Sequence, residues 1–204
     1  MSGPEDTAAD DQRDQQYADR LVALGDVWWK RLLGAQLPYR WNLRRLQTGF
    51  TLDIGCGTGR NLEHLAGHGV GVDPNAAGVS VARSKGWDAF SPDAFQESPY
   101  ARPETFDSLL FAHVLEHLGA EPALELVRRY LPYLRHPGTV ILITPQESGF
   151  RSDDTHVEFL DFAKLLDLVR ACGLAPTRQY SFPLPRPLGR LFRYNEFVVV
   201  ATST

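Results

Sequence analysis

The segment Leu52-Asp53-Ile54-Gly55-Cys56-Gly57-Thr58-Gly59 constrains this chain more than any other. An apolar run from Phe50 to Ile54 carries one acid, Asp53, and glycines alternate at 55, 57 and 59 before a polar helix start. This reads as a strand that enters a tight turn and then a helix. Glycine has no Cβ, so the backbone of such a turn can lie directly against a ligand. The spacing is G-x-G-x-G rather than the G-x-G-x-x-G of dinucleotide binders. Asp53 would repel a pyrophosphate and attract an ammonium group. A nicotinamide oxidoreductase is therefore disfavoured.

The rest of the chain alternates strand and helix. Strands are predicted near 49–54, 70–72, 87–90, 107–111, 139–144, 175–182 and 194–202. Helices are predicted near 58–67, 75–85, 121–134 and 161–172. This order implies an α/β fold, a mostly parallel seven-stranded sheet with helices on both faces. The last two strands have no helix between them and should form an antiparallel hairpin at one edge. Upstream, Tyr17, Leu21, Leu24, Val27, Trp28 and Leu32 share one helical face over 15–33. Pro38 is expected to end that helix, and a short helix over 40–47 to follow it. Residues 1–14, acidic and small, are expected to be a disordered tail. Residues 15–204 then form one domain, with 15–47 as helices over the active site. The proline-rich run 183–193 is expected to be extended, as an acceptor lid or a dimer contact.

A length of 204 residues with 43% hydrophobic content suits one full core. The net charge of −4 gives no general attraction to nucleic acid or anionic membranes, so neither is an expected partner. Cys56 and Cys172 form no C-x-x-C pair, which disfavours a disulfide framework or a zinc site. With no leader pattern and no membrane-spanning run, a cytoplasmic location is expected.

In open sheets of this type, ligands bind at the carboxyl ends of the strands. Asp73 ends the second strand, 20 residues after Asp53. The G-x-G-x-G turn, Asp53 and Asp73 together resemble class I S-adenosylmethionine (SAM)-dependent methyltransferases, over roughly residues 38–174. The resemblance implies a Rossmann-like fold and SAM as cofactor. It assigns Asp53, Gly55, Gly57 and Gly59 to the methionine end, and Asp73, followed by Pro74, to the ribose. It assigns Asp93, Ala94 and Phe95 to the adenine, with Phe95 covering the ring. Ala112, at the end of the fourth strand, would pass beside the reactive methyl, and Arg40 would bind the methionine carboxylate. The Asn/Asp-Pro-Pro-aromatic motif of amine and DNA methyltransferases is absent after the fourth strand. This argues against nitrogen acceptors of those kinds.

The acceptor side is expected at His113-Val-Leu-Glu116-His117, joined by His156 from the loop after the fifth strand. In a helical turn, positions 113, 116 and 117 would share one face. Three roles compete for them: shaping the pocket, accepting the proton of a hydroxyl, or binding a divalent ion, with magnesium expected. The catalytic candidates are His117, Glu116 and His113. The metal candidates are Glu116, His117, His156 and His113. The pattern is similar to the small-RNA 3′-terminal 2′-O-methyltransferases, which carry Glu-x-x-Glu-His, except that His113 stands at the first Glu. Trp28, Trp29 and Trp41 are candidate walls of the acceptor pocket.

The resulting expectation is a SAM-dependent O-methyltransferase acting on a small hydroxylated acceptor, able to form a homodimer. Size and overall pattern are similar to the mycobacterial 1-O-methyltransferases of methylmannose polysaccharide synthesis, which implies a mannoside acceptor. The alternatives are methylation of an RNA terminus, of a phenol, quinone or natural product, or a non-catalytic SAM-binding protein.

Overall fold

Strand β1 (Thr51–Ile54) is buried along its whole length, Asp53 included. Only a strand covered on both faces and both edges reads this way. In the computed structural model, which describes residues 37–46 and 48–203, β1 lies between β2 (Gly69–Val72) and β4 (Phe106–Ala112), parallel to both. The sheet adds β3 (Ala89–Phe90), β5 (Leu134–Pro145), β6 (Ala175–Phe182) and β7 (Glu196–Thr202), in the order β3-β2-β1-β4-β5-β7-β6. The first five strands are parallel, and β7 runs antiparallel to β5 and β6. The expected sheet is thus present, and β7 sits inside it with β6 at the edge. The main core contains Leu52, Val70, Leu109, Phe111, Leu142 and Phe197.

Among the described residues the α-helices are α1 (Leu37–Arg45), α2 (Arg60–His64), α3 (Ala76–Ser84), α4 (Pro92–Gln96), α5 (Ala120–Tyr130), α6 (Glu147–Phe150), α7 (Phe162–Ala171) and α8 (Arg186–Gly189). Pro38 occupies the first turn of α1, a position where its missing N–H costs nothing; the helix it is expected to end lies outside the described residues. The run 183–193 is not simply extended but contains α8. The predicted helix over 15–33, the tail 1–14, Trp28 and Trp29 lie outside the described residues. Among the described residues, no helix is long and apolar enough to cross a membrane.

The sheet order reverses at β1, whose neighbours β2 and β4 lead into opposite halves. The carboxyl ends of β1, β2, β4 and β5 therefore surround one crevice, and β7 begins beside it, Glu196 pairing with Pro145.

Candidate active site

The turn after β1 shows a division of labour among its glycines. Gly55, Gly57 and Gly59 all have positive φ, at 79°, 52° and 80°. A Cβ on Gly55 would strike Val114 at 2.8 Å, and one on Gly59 would strike Trp87 at 2.8 Å, so these two serve internal packing. A Cβ on Gly57 would meet nothing within 4 Å. Gly57 is thus the position where bare backbone faces the open crevice.

Two carboxylates frame this turn. Asp73 is pinned, one oxygen accepting the Gly57 N–H at 2.7 Å and the other the Asn75 N–H at 2.8 Å. Each oxygen keeps a further lone pair, the pattern needed to accept two hydroxyls of a ribose. Asp53 is fully buried, accepts one hydrogen bond from Asn61 at 3.2 Å, and leaves Oδ2 with no partner. Burial pushes its pKa up to about 7, against the opposing Asn61 hydrogen bond and the Arg60 charge. Asp53 thus keeps an unsatisfied carboxylate oxygen at the strand end that enters the turn, a group that an ammonium would satisfy.

The remaining cofactor expectations fare differently. Arg60, at the start of α2, is the guanidinium that acts on Asp53. Arg40 lies on α1, which is tied to α2 by Arg44 Nε donating to the His64 carbonyl at 3.2 Å, and its charge acts on His64. The adenine segment forms α4, capped by Ser91, whose hydroxyl accepts the Ala94 N–H at 3.2 Å. Asp93 is exposed, and Ala94 half-buried. Phe95 contradicts its expected role. Its ring is fully buried against Phe106, Tyr130 and Tyr133, because the fourth residue of this short helix turns toward the core, and it has no face for adenine. Pro74 is exposed beside Asp73, and Ala112 ends β4 buried at the crevice floor.

The His/Glu cluster expected on the acceptor side assembles from two strand ends. After β4 the chain passes through His113 at φ 58° into a 3-10 turn, Leu115–His117. The loop after β5 is stitched to that turn, Val157 and Glu158 donating their N–H groups to the Glu116 carbonyl at 2.8 and 3.1 Å. One donor atom each from Glu116, His117 and His156 then lies within 4.8 Å of the others. Glu116 is fully buried, and neither carboxylate oxygen has a hydrogen-bond partner. Its Oε1 lies 3.3 Å from His113 Nδ1, an ion-pair contact without hydrogen-bond geometry, so a further cation would lower the cost of burying this carboxylate.

Both histidines are oriented from behind. His156 Nδ1 lies 2.7 Å from the Phe150 carbonyl, so it carries the proton and donates it there. His117 Nδ1 is held by Thr155, at 3.3 Å from its carbonyl and 3.1 Å from its hydroxyl. Anchoring one ring nitrogen on a carbonyl leaves Nε2 as a lone pair, which is how metal-binding histidines are held. Phe150 stacks on His156 with ring centroids 5.2 Å apart and fixes its plane. The three residues fit a divalent ion.

His113 does not join them, contrary to expectation. It stands outside the cluster. Its Nδ1 lies 3.3 Å from Glu116 and its Nε2 2.8 Å from Glu196. Burial lowers the imidazole pKa, but the two carboxylates outweigh it and raise the value to about 9. Held as a cation between two acids, His113 has no lone pair for a metal or for a substrate proton. The left-handed backbone at 113 breaks the helical face that would have aligned it with 116 and 117. Trp41 is exposed, stacks on Phe182 at 6.5 Å, and carries Arg45 over its ring at 4.8 Å.

Residues 30–202 match the family model described as a methyltransferase domain. The chain belongs to this methyltransferase family. No curated protein matches it. Solved structures with the same fold include a SAM-dependent methyltransferase of Thermotoga maritima, described as a possible histamine N-methyltransferase. It is 20% identical, with a TM-score of 0.65, covering 91% of this chain and 97% of that one. A SAM-dependent methyltransferase of Archaeoglobus fulgidus is 18% identical, TM-score 0.61, covering 87% and 100%. The Burkholderia thailandensis 1,6-didemethyltoxoflavin N1-methyltransferase, solved with its substrate and S-adenosylhomocysteine, is 19% identical, TM-score 0.61, covering 100% and 92%. In this chain the Gly57–Asp73 crevice lies at the switch point of the sheet.

Proposed function

We propose that this methyltransferase transfers the methyl group of SAM to a hydroxyl of a small acceptor, beside a divalent ion held by Glu116, His117 and His156. The observation that carries this reading is the buried Glu116 carboxylate, which no hydrogen bond satisfies, set within 4.8 Å of two histidines whose Nδ1 atoms are already committed. Asp53 and Gly57 would hold the amino-acid end of SAM, and Asp73 its ribose. A sulfonium carries a good leaving group, so the difficult partner is the hydroxyl, a poor nucleophile until its proton is withdrawn. A divalent ion supplies positive charge that lowers the pKa of a bound hydroxyl. Two imidazole nitrogens and one carboxylate suit manganese, iron, cobalt or zinc better than the magnesium expected from the sequence, since magnesium favours oxygen donors. A mannoside is one acceptor of this class; phenols and RNA 2′-hydroxyls are others.

The test begins with metal analysis of the purified protein, before and after dialysis against a chelator. Turnover of labelled SAM is then measured on a panel of mannosides, phenols and RNA ends, with stripped protein and with protein refilled by manganese, zinc or magnesium. About one ion per chain, with loss of turnover on stripping and recovery on refilling, is the expected result. Undiminished turnover by stripped protein would remove the ion from the mechanism.

A further inference from the structure

Glu196 is a residue that nothing in the sequence pattern singles out. It opens β7 beside Pro145, at the crevice end of the sheet, and is nearly buried. Its position is over-determined. Its carbonyl accepts the Gln146 side-chain amide at 3.0 Å, and the preceding residue, Asn195, is fully buried in a network with Ser181 and Leu184. Its Oε1 takes His113 Nε2 at 2.8 Å. Its Oε2 has no hydrogen-bond partner among the described residues, yet it is not one of the sealed atoms, and the side chain keeps 10% of its surface open. The Tyr39 phenol lies close enough to feel the Glu196 charge and donates to the Tyr194 carbonyl at 2.6 Å. A carboxylate with one oxygen locked and the other open thus stands beside the residue that follows β4, at the crevice end of the sheet.

Resting on the O-methyltransferase reading, we propose that Glu196 is the catalytic proton acceptor and His113 its positioning residue. The acceptor hydroxyl gives its proton to Glu196 Oε2. The oxygen lone pair forms the new O–CH3 bond while the C–S bond breaks, and that electron pair returns to sulfur as the neutral thioether. Glu196 then loses the proton to solvent. His113 bridges Glu116 and Glu196, so the ion ligand and the base are held at a fixed separation. Its left-handed backbone is the strain that places the ring between them.

The experiment compares wild type with Glu196→Gln, Glu196→Asp and His113→Asn, the asparagine chosen because it tolerates positive φ. Ion content, S-adenosylhomocysteine affinity and turnover are measured on the same preparations. Acceptors are methyl α-mannoside and a series of phenols of increasing acidity. General-base catalysis contributes roughly 10²- to 10⁴-fold, so Glu196→Gln is expected to lower kcat on the mannoside by at least ~100-fold. Ion content and S-adenosylhomocysteine affinity stay unchanged, and the loss shrinks as the acceptor hydroxyl becomes more acidic and needs the base less. Glu196→Asp recovers part of the rate, and His113→Asn lowers kcat with a smaller dependence on acceptor acidity. Turnover by Glu196→Gln within threefold of wild type, or an equal loss on every acceptor, overturns the assignment and leaves the O-methyltransferase reading intact. A wild type that methylates no hydroxyl removes both.

Discussion

Glu116→Ala is expected to lose the bound ion and at least ~100-fold in turnover, while binding S-adenosylhomocysteine as wild type does. Glu116 is the sole carboxylate of the three-residue cluster, and changes even to outer partners of metal ligands cost about 10- to 100-fold in affinity or activity. The cofactor turn lies on other elements, so its affinity should hold. Stability separates a ligand from a packing residue. In chelator, the wild-type protein carries a fully buried carboxylate that no hydrogen bond satisfies and that His113 contacts only at 3.3 Å. Removing it also takes one of the two acids from His113, so each protein's melting temperature in chelator is the baseline against which its response to ion is read. Adding ion should stabilise wild type alone, by about 2.7 kcal/mol at 100 times the dissociation constant, and so raise only its melting temperature. Calorimetric melts with and without manganese check this. Equal stabilisation of both proteins by the ion would show that Glu116 is no ligand.

Asp53→Asn is expected to move stability and cofactor affinity in opposite directions. Burial raises the folded-state pKa from the ordinary 3.8 to about 7, so the folded protein holds a proton that the unfolded chain releases. Stability linked to Asp53 is therefore complete below about pH 4, falls as pH rises to about 7, and stays low above it. Asparagine keeps the shape and removes the charge. Its melting temperature should exceed that of wild type at pH 8, with the difference vanishing near pH 4. The cofactor works on the same carboxylate from the other side. Its ammonium group favours the ionised form, so wild-type affinity for S-adenosylhomocysteine should rise with pH up to about 7 and then level. A hydrogen bond to a charged group contributes about 1.5–3 kcal/mol, so the substitution should weaken binding by roughly 10- to 100-fold and flatten the pH profile. Scanning calorimetry and titration calorimetry between pH 5 and 8 measure both effects. A variant that melts lower at pH 8, or binds as tightly, would contradict the role given to Asp53.

Local patterns carried most of the frame. The run to Ile54, the acid within it and the alternate glycines mark β1 and its turn because strand burial and positive φ each restrict residue type at the position concerned. Strand β6 falls on the predicted 175–182, since its ends are set by Gly173 and by Pro183 just beyond it. Asp73 was legible because an acid at the end of β2 faces the switch point whatever the loops do. Glu116, His117 and His156 were legible as residue types, and the backbone bonds from Val157 and Glu158 to Glu116 are what bring them together.

Other features were decided by contacts between distant parts of the chain. Phe95 sits in a polar-apolar loop by its neighbours alone, and only the helix α4 and the aromatic wall of Phe106, Tyr130 and Tyr133 turn it inward. His113 looked like a ligand beside Glu116, until its left-handed backbone and a carboxylate 83 residues away took both ring nitrogens. Glu196 carried no signal, because a strand's first residue gains meaning only from the strand beside it, here β5, and from the loop it meets across the crevice. The fold and the cofactor turn of this methyltransferase are thus written in short-range pattern, where burial and φ limit the choice of residue. The arrangement of His113, Glu116, His156 and Glu196 was decided by tertiary structure, because these charges acquire partners only when the strand ends meet.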